Sequence, residues 1–118
     1  MKNLIFNKLK KLRLNKKTLV MCHGVFDVIH SGHIEYFKQA KKLGDILLVS
    51  VTTDEYVNKG PLRPVNKIKE RTQVLENIKL IDFVVESESF TAEKNIDYFK
   101  PDIYCKGPDY NFKKNSDI

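Results

Sequence analysis

The sequence predicts a single α/β domain built around a doubly wound parallel sheet. Its 118 residues suit one domain with one core, and 42% of them are hydrophobic, as in ordinary globular proteins. From Thr18 to Cys105, short apolar runs with β-branched residues alternate with segments of helical periodicity. This alternation is typical of right-handed βαβ units, whose parallel sheet is covered by helices on both faces.

A basic segment, residues 1–17, comes first. Seven of the 21 lysines and arginines lie in it and no acid does, so the rest of the chain is close to neutral although the net charge is +6. Apolar positions at helical spacing predict a surface helix over 3–14, docked on the domain. They are Leu4, Ile5, Leu9 and Leu12. Such a helix can also bind RNA or membranes, but its apolar face is modest and the chain has no Trp, so we expect neither partner.

The predicted domain, residues 18–118, opens with a buried strand over 18–22 that ends at a glycine turn. A loop leads to a helix over 33–43, which Gly44 stops, and an apolar run over 45–52 predicts the second strand. Four residues of this helix are expected to face inward: Ile34, Phe37, Ala40 and Leu43.

The second half of the domain repeats the pattern. A loop with glycine and prolines over 54–64 precedes a predicted helix over 67–79 and a third strand over 82–86. Thr91 resembles the cap of a helix that ends near residue 99, and 103–105 predicts a fourth strand.

The two cysteines, Cys22 and Cys105, fall in predicted buried strands. We expect them to be reduced and structural, since a zinc site would need closer spacing and further ligands. No run approaches the roughly 18 apolar residues that span a membrane, and the start of the chain lacks the apolar core of a signal peptide. The expected location is cytoplasmic.

Three segments follow predicted strands at the sheet edge where ligands bind in open parallel sheets: 24–33, 53–63 and 106–110. The first combines a tight turn, a carboxylate and a helix start that carries His30 and His33. Unpaired N–H groups at a helix N-terminus attract phosphate, and Gly32 lets it approach closely. Two imidazoles three residues apart can then stabilise the charge that grows during phosphoryl or nucleotidyl transfer.

Other interpretations of this segment remain open on spacing alone. His30 and His33 could form half of a metal site, or they could be polar residues at a helix start. Dinucleotide-binding and P-loop proteins are not indicated, because neither G-x-G-x-x-G nor G-x-x-x-x-G-K-[ST] occurs.

The motif pair Gly24-Val25-Phe26-Asp27 and His30-Ser31-Gly32-His33 resembles the GxFD and HxGH motifs of the cytidylyltransferase-like nucleotidyltransferases, which have a Rossmann-like fold. Further similar segments follow in family order at 40–45, 63–66, 70–71, 82–85, 101–102 and 106–110. The greatest likeness is to adenylyltransferase domains of ADP-heptose synthases, with glycerol-3-phosphate cytidylyltransferases next. The resemblance covers about residues 18–110.

The resemblance implies transfer of a nucleoside monophosphate from ATP, or from CTP as the rival, to a phosphorylated sugar or polyol, with Mg²⁺ as cofactor and a homodimer as the frequent assembly. Its catalytic residues would be His30, His33 and Lys59. Its nucleotide-binding residues would be Gly24, Val25, Phe26, Asp27, His30, Gly32, His33, Arg71, Gly107 and Asp109. Its substrate-binding residues would be Asp54, Lys59 and Arg63, and no residue is directly predicted to bind a metal.

Several of these residues also have simpler explanations. Asp27 could form an Asx turn, Lys59 could be a solvated loop lysine, and Arg71 could pair with Glu70 or another acid. At the level of the whole chain, the alternatives to the enzyme are a non-catalytic nucleotide-binding module and an RNA-binding protein.

The chain departs from the family pattern in two places. Pro108 stands where the family has a second glycine, which stiffens the loop and removes an N–H donor. The family continues into a Ser/Thr-rich segment and a last helix, whereas this sequence stops at Ile118. We expect the sequence to be part of a longer protein, the alternatives being a contact supplied by a partner chain or a weakened site.

Overall fold

A computed structural model of the chain describes residues 2–58 and 60–107. Two predicted site residues, Lys59 and Asp109, and the departure at Pro108 lie outside the described residues. The helices are α1 Lys2–Leu14, α2 Ser31–Lys41, α3 Ile68–Glu76 and α4 Glu93–Phe99, and a short 3-10 helix spans Asp54–Tyr56. The strands are β1 Leu19–Gly24, β2 Ile46–Thr52, β3 Phe83–Ser87 and β4 Ile103–Cys105.

The four strands form one parallel sheet in the order β3-β2-β1-β4. The chain therefore moves outward from β1 to β3 on one side and returns to place β4 on the other side of β1. This reversal between β1 and β4 is the switch point at which open α/β sheets bind ligands. The α/β, Rossmann-like, doubly wound prediction is confirmed.

Alternate side chains of the strands fill two separate cores. On one face, Val20 and Val49 pack with Phe37 of α2 and Leu75 of α3. On the other face, Leu19, Met21 and Leu48 pack with Ile5 and Leu9 of α1 and with Phe99 of α4. β2 is buried along its whole length because helices cover it from both sides.

Helix α2 differs most from its prediction. It begins at Ser31 and ends at Lys41, whereas the prediction was 33–43. The early start arises because His30 caps the helix, a role for which sequence patterns favour Ser, Thr, Asp or Asn. The inward position predicted for Leu43 is wrong, since this residue lies beyond the helix and is 41% exposed.

The remaining elements agree with the predictions to within about three residues. Helix α4 starts at Glu93 with Ala92 as its N-cap, so the predicted cap Thr91 lies one residue too early, although its hydroxyl accepts a hydrogen bond from the Glu93 N–H. Cys22 and Cys105 are buried free thiols that face each other across β1 and β4. Among the described residues, no helix is long and apolar enough to cross a membrane.

Candidate active site

The loop after β1 is shaped by Phe26, whose side chain folds back over Gly24. A Cβ atom on Gly24 would lie 2.9 Å from Cζ of Phe26, so the glycine is needed to make room for the ring. Phe26 adopts a positive φ of 52°, an uncommon conformation for a bulky residue, and its buried ring packs against Phe37 and His33. Packing in the core thus fixes the loop that the sequence predicted to bind nucleotide.

His30 and His33 form a reciprocal cap at the N-terminus of α2. Nδ1 of His30 accepts a hydrogen bond from the Gly32 N–H at 3.0 Å, and Nδ1 of His33 accepts one from the His30 N–H at 3.1 Å. The ring centroids are 4.2 Å apart. The structure therefore brings the two predicted catalytic histidines together at a helix N-terminus, where the helix dipole favours an anion.

The cap also decides which tautomer each histidine adopts. Because each Nδ1 accepts a hydrogen bond from a backbone N–H, the neutral ring carries its proton on Nε2. Burial, with a smaller contribution from the neighbouring His30, lowers the pKa of His33, which favours its neutral form. Each ring keeps one Nε2–H donor that the helix does not use.

Asp27 fastens the loop before α3 to the loop after β1. Its carboxylate accepts hydrogen bonds from the N–H groups of Val65 (2.7 Å) and Asn66 (2.8 Å) and pairs with Arg63 at 3.4 Å. The Asn66 side chain donates to the Asp27 carbonyl. The carboxylate is only 8% exposed, and its hydrogen bonds among the described residues are with this loop.

The same contacts determine the charge of Asp27. Burial alone would raise its pKa, but the hydrogen bonds from Asn66 and Val65 and the positive charge of Arg63 outweigh burial and lower the pKa. Asp27 is therefore ionised at neutral pH.

Arg71 lies inside the protein, with a side chain that is 0% exposed. Its guanidinium donates to the carbonyls of Asn66, Val25 and Thr52 at 2.7–2.8 Å and to a carboxylate oxygen of Asp54 at 2.6 Å. These bonds join the ends of β1 and β2 to the start of α3. In this structure Arg71 organises the loops around the site, and its acid partner is Asp54 rather than Glu70.

The other predicted substrate residues lie on the same side of the sheet. Asp54 follows β2 and stays 28% exposed beside Arg71. Arg63 lies in an exposed loop and is held near Asp27. Their role toward an acceptor stays a prediction.

Gly107 follows β4 and lies across the switch point from β1. A Cβ atom on it would lie 3.7 Å from the Tyr36 hydroxyl and 3.8 Å from the His23 carbonyl oxygen, which is ordinary contact. The Tyr36 hydroxyl donates to the Cys105 carbonyl, and burial raises the pKa of Tyr36, so it remains a donor. Helix α2 is thereby tied to the strand that delivers Gly107.

The described residues would suit Mg²⁺ as an ion held mainly by the phosphates of a ligand. Among residues 2–58 and 60–107, no group of three or more His, Cys, Asp or Glu side chains could hold a metal ion. The carboxylate of Asp27 is already occupied by its loop contacts. Mg²⁺ commonly binds substrate phosphates with few protein ligands, and a phosphate ligand would bring it to the site.

Sequence reasoning missed three polar residues behind this edge of the sheet. His23, Ser50 and Asn95 are hydrogen-bonded to one another on the face of the sheet covered by α1 and α4. The available signal was a polar residue at an alternating position in each of two apolar strands. Asn95 gave no such signal, because polar residues are common in a helix.

The sequence is similar to a known protein family and to several curated proteins. The family model described as Cytidylyltransferase-like matches residues 21–117. The chain is 42% identical over 101 residues to "Bifunctional protein HldE" of Hahella chejuensis (strain KCTC 2396), a match covering 84% of this chain and 21% of that protein. It is 44% identical over 100 residues to the protein of the same name from Campylobacter fetus subsp. fetus (strain 82-40), covering 83% and 22%.

A solved structure is also similar. It is the lipopolysaccharide core biosynthesis protein from Thermoplasma volcanium GSS1, with a TM-score of 0.69 and 34% identity. The match covers 75% of this chain and 72% of that one. The chain spans about a fifth of the length of the curated relatives it matches, at 21% and 22%.

Proposed function

The chain belongs to the cytidylyltransferase-like family, and we propose that it transfers a nucleoside monophosphate, AMP in preference to CMP, from a nucleoside triphosphate to a sugar phosphate or polyol phosphate. Pyrophosphate is released. The observation that carries this proposal is the pair of mutually capped histidines at the N-terminus of α2, each with an Nε2–H left to donate.

The reaction needs no nucleophilic side chain. A phosphate oxygen of the acceptor attacks the α-phosphorus of the triphosphate in line. A new P–O bond forms as the bond from the α-phosphorus to the bridging oxygen breaks, and the electron pair leaves with pyrophosphate.

The histidines suit the charge that develops in this step. The Nε2–H donors of the two imidazoles stabilise negative charge on the α-phosphate oxygens by hydrogen bonding. The backbone N–H groups of the first turn of α2 and the helix dipole add to this stabilisation. Lys59, Arg63 and Asp54 are proposed to contact the acceptor or the triphosphate, with Mg²⁺ bound to the nucleotide.

Two observations favour AMP over CMP. The curated relatives are named HldE, which supports adenylyl transfer as in ADP-heptose synthases. The segment Arg63-Pro64-Val65-Asn66, which resembles that branch, is held against the candidate site by Asp27.

The test is pyrophosphate release by the chain incubated with Mg²⁺, either ATP or CTP, and a set of sugar phosphates and polyol phosphates. We expect release with ATP that depends on the acceptor. Faster release with CTP would instead indicate a cytidylyltransferase of the glycerol-3-phosphate type. Nucleotide binding without release, with any acceptor, would indicate a non-catalytic binding module and contradict the proposal.

A further inference from the structure

Behind the nucleotide loop, the sheet face covered by α1 and α4 is polar at the ends of β1 and β2. His23 extends from β1, and Ser50 and Thr52 extend from β2. Nδ1 of His23 lies 2.8 Å from the Ser50 hydroxyl, and Nε2 lies 3.4 Å from the Thr52 hydroxyl. Ser50 and Thr52 are buried, so these contacts are made out of water.

Asn95 of α4 continues this set of contacts, and its neighbours fix the orientation of its amide. Lys2 can only donate, and its ammonium lies 2.7 Å from Oδ1 of Asn95. The Glu86 carbonyl can only accept, and it lies 3.2 Å from Nδ2. Nδ2 therefore faces Ser50, to whose hydroxyl oxygen it donates at 2.8 Å. Asn95 is 0% exposed.

The contacts at the two ring nitrogens of His23 indicate its tautomer. The Ser50 oxygen accepts from Asn95, which leaves the Ser50 hydroxyl proton available to donate to Nδ1 of His23. At the other end, the Thr52 hydroxyl donates to the Gly24 carbonyl at 3.5 Å, so its oxygen accepts from Nε2–H of His23. One ring form, with the proton on Nε2, satisfies both neighbours.

The last acceptor, Gly24, opens the loop that carries the candidate nucleotide residues. A peptide group is planar, so a hydrogen bond that holds the Gly24 carbonyl also fixes the direction of the Val25 N–H. The two links nearest the loop are the longest, at 3.4 and 3.5 Å. Contacts of this kind can shorten when a ligand binds.

We propose that Lys2, Asn95, Ser50, His23 and Thr52 form one directed chain of hydrogen bonds from the α1 ammonium to the Gly24 carbonyl, and that His23 is a positioning residue for the nucleotide loop. This inference rests on the proposed nucleotide site. The charge on Lys2 polarises each successive bond in the same direction, so the far end of the chain affects the loop without touching the ligand.

The first test reads the ring form directly, in the chain without nucleotide. The ¹⁵N shifts of the His23 ring distinguish an Nε2–H from an Nδ1–H tautomer. We expect Nε2–H in the wild type, a shift toward Nδ1–H in Asn95→Leu, and a smaller shift in Lys2→Met. Lys8→Met removes an exposed lysine from the same helix and is the matched control, in which the His23 shifts stay unchanged.

The second test measures the Kd of MgATP and MgCTP. Asn95→Leu should weaken binding about threefold to tenfold. His23→Gln keeps a donor near Nε2 and His23→Asn keeps an acceptor near Nδ1, so we expect the Gln variant to bind more tightly than the Asn variant. If Asn95→Leu does not fold, Lys2→Met replaces it in this comparison, because Lys2 begins the chain of hydrogen bonds and lies outside the core.

The two parts can fail separately. An Nδ1–H tautomer in the wild type would overturn the chain of hydrogen bonds whatever the affinity for nucleotide. Equal Kd values for the wild type, Asn95→Leu and Lys2→Met would overturn the positioning role. A wild-type chain that binds neither nucleotide would overturn the proposed function and the positioning role of His23. The ¹⁵N shifts would still test the chain of hydrogen bonds in that case.

Discussion

At the N-terminus of α2, the imidazoles of His30 and His33 combine a structural and a chemical role on opposite ring nitrogens. Nδ1 of each ring accepts from the backbone, and Nε2–H of each is left over. A simple alanine substitution would remove both roles at once. Side chains that keep only the acceptor can separate them.

His30→Asp and His33→Glu should retain the cap and lose turnover. Asp is a good N-cap residue and Glu at the third helical position completes a capping box, so unfolding free energies should stay near the wild-type value, while an ionised carboxylate keeps no N–H donor. Loss of an electrostatic donor typically costs about 10²–10³ in kcat, measured as pyrophosphate release. His30→Ala should lose the same activity and about 1 kcal/mol of stability in a denaturant titration.

The matched control is Lys38→Ala, an exposed residue of α2 away from its N-terminus, which should change neither quantity. Full activity in His30→Asp and His33→Glu would contradict a chemical role for the histidines and leave them as capping residues.

Arg71 illustrates how a buried charge depends on its partners. It was predicted to face the nucleotide, and the structure shows every nitrogen of its side chain bonded to protein. Arg71→Met leaves Asp54 and three carbonyls without these donors, and breaking a buried pair typically costs about 3–5 kcal/mol. Urea unfolding should detect the loss.

Lys41→Met is the comparison for this substitution. Lys41 pairs with Asp82 on the surface, where such pairs typically contribute below about 1 kcal/mol. A loss in Arg71→Met no larger than in Lys41→Met, with a large rise in the Kd of nucleotide, would restore the original interpretation of Arg71 as a ligand-binding residue.

At the level of the elements, the carboxylate of Asp27 accepts hydrogen bonds from three residues of the loop over 63–66. The pKa of Asp27 is lowered on folding, so the native state binds fewer protons than the unfolded state between the native pKa and the ordinary value of about 3.9. The stability contributed by Asp27 is fully present above that value. It is lost as the pH falls through the native pKa.

Asp27→Asn should therefore be less stable than the wild type at pH 7, and the difference should shrink as the pH falls below about 4. An amide offers one acceptor oxygen where the carboxylate offers two, so it cannot satisfy both Val65 and Asn66. Urea titrations of both proteins between pH 2 and 7 measure the difference. A gap that stays constant with pH would show that the charge of Asp27 does not contribute.

Sequence patterns predicted the order of the elements because each strand is a short apolar run bounded by a turn residue. They also predicted the paired histidines and their place beside Gly24. The start of α2 was missed because an imidazole cap is not part of the usual capping pattern. Contacts such as that of Asp27 with Asn66 could not be predicted from sequence patterns, because 39 residues separate the two and only the folded sheet brings them together.

At the level of the whole molecule, the charge of the chain and its candidate site belong to different elements. The basic segment, residues 1–17, supplies more positive charge than the net +6, yet α1 is not a detachable tail. Ile5 and Leu9 form part of the second core, and Arg13 donates to the Phe99 carbonyl of α4. Deleting the segment to test RNA binding would expose that core, so replacing its exposed lysines is the better experiment.

Leu9→Ala should test whether α1 is an integral layer of the fold. Leu9 is 2% exposed and packs against the sheet, so truncation leaves a cavity that typically costs about 2–5 kcal/mol. Leu4→Ala, on the same helix but 55% exposed, should cost much less. Because α1 also supplies Lys2 to the contacts behind Gly24, Leu9→Ala should weaken nucleotide binding while Leu4→Ala does not. Equal unfolding free energies for the two variants would show that α1 does not contribute to the core and would contradict this prediction.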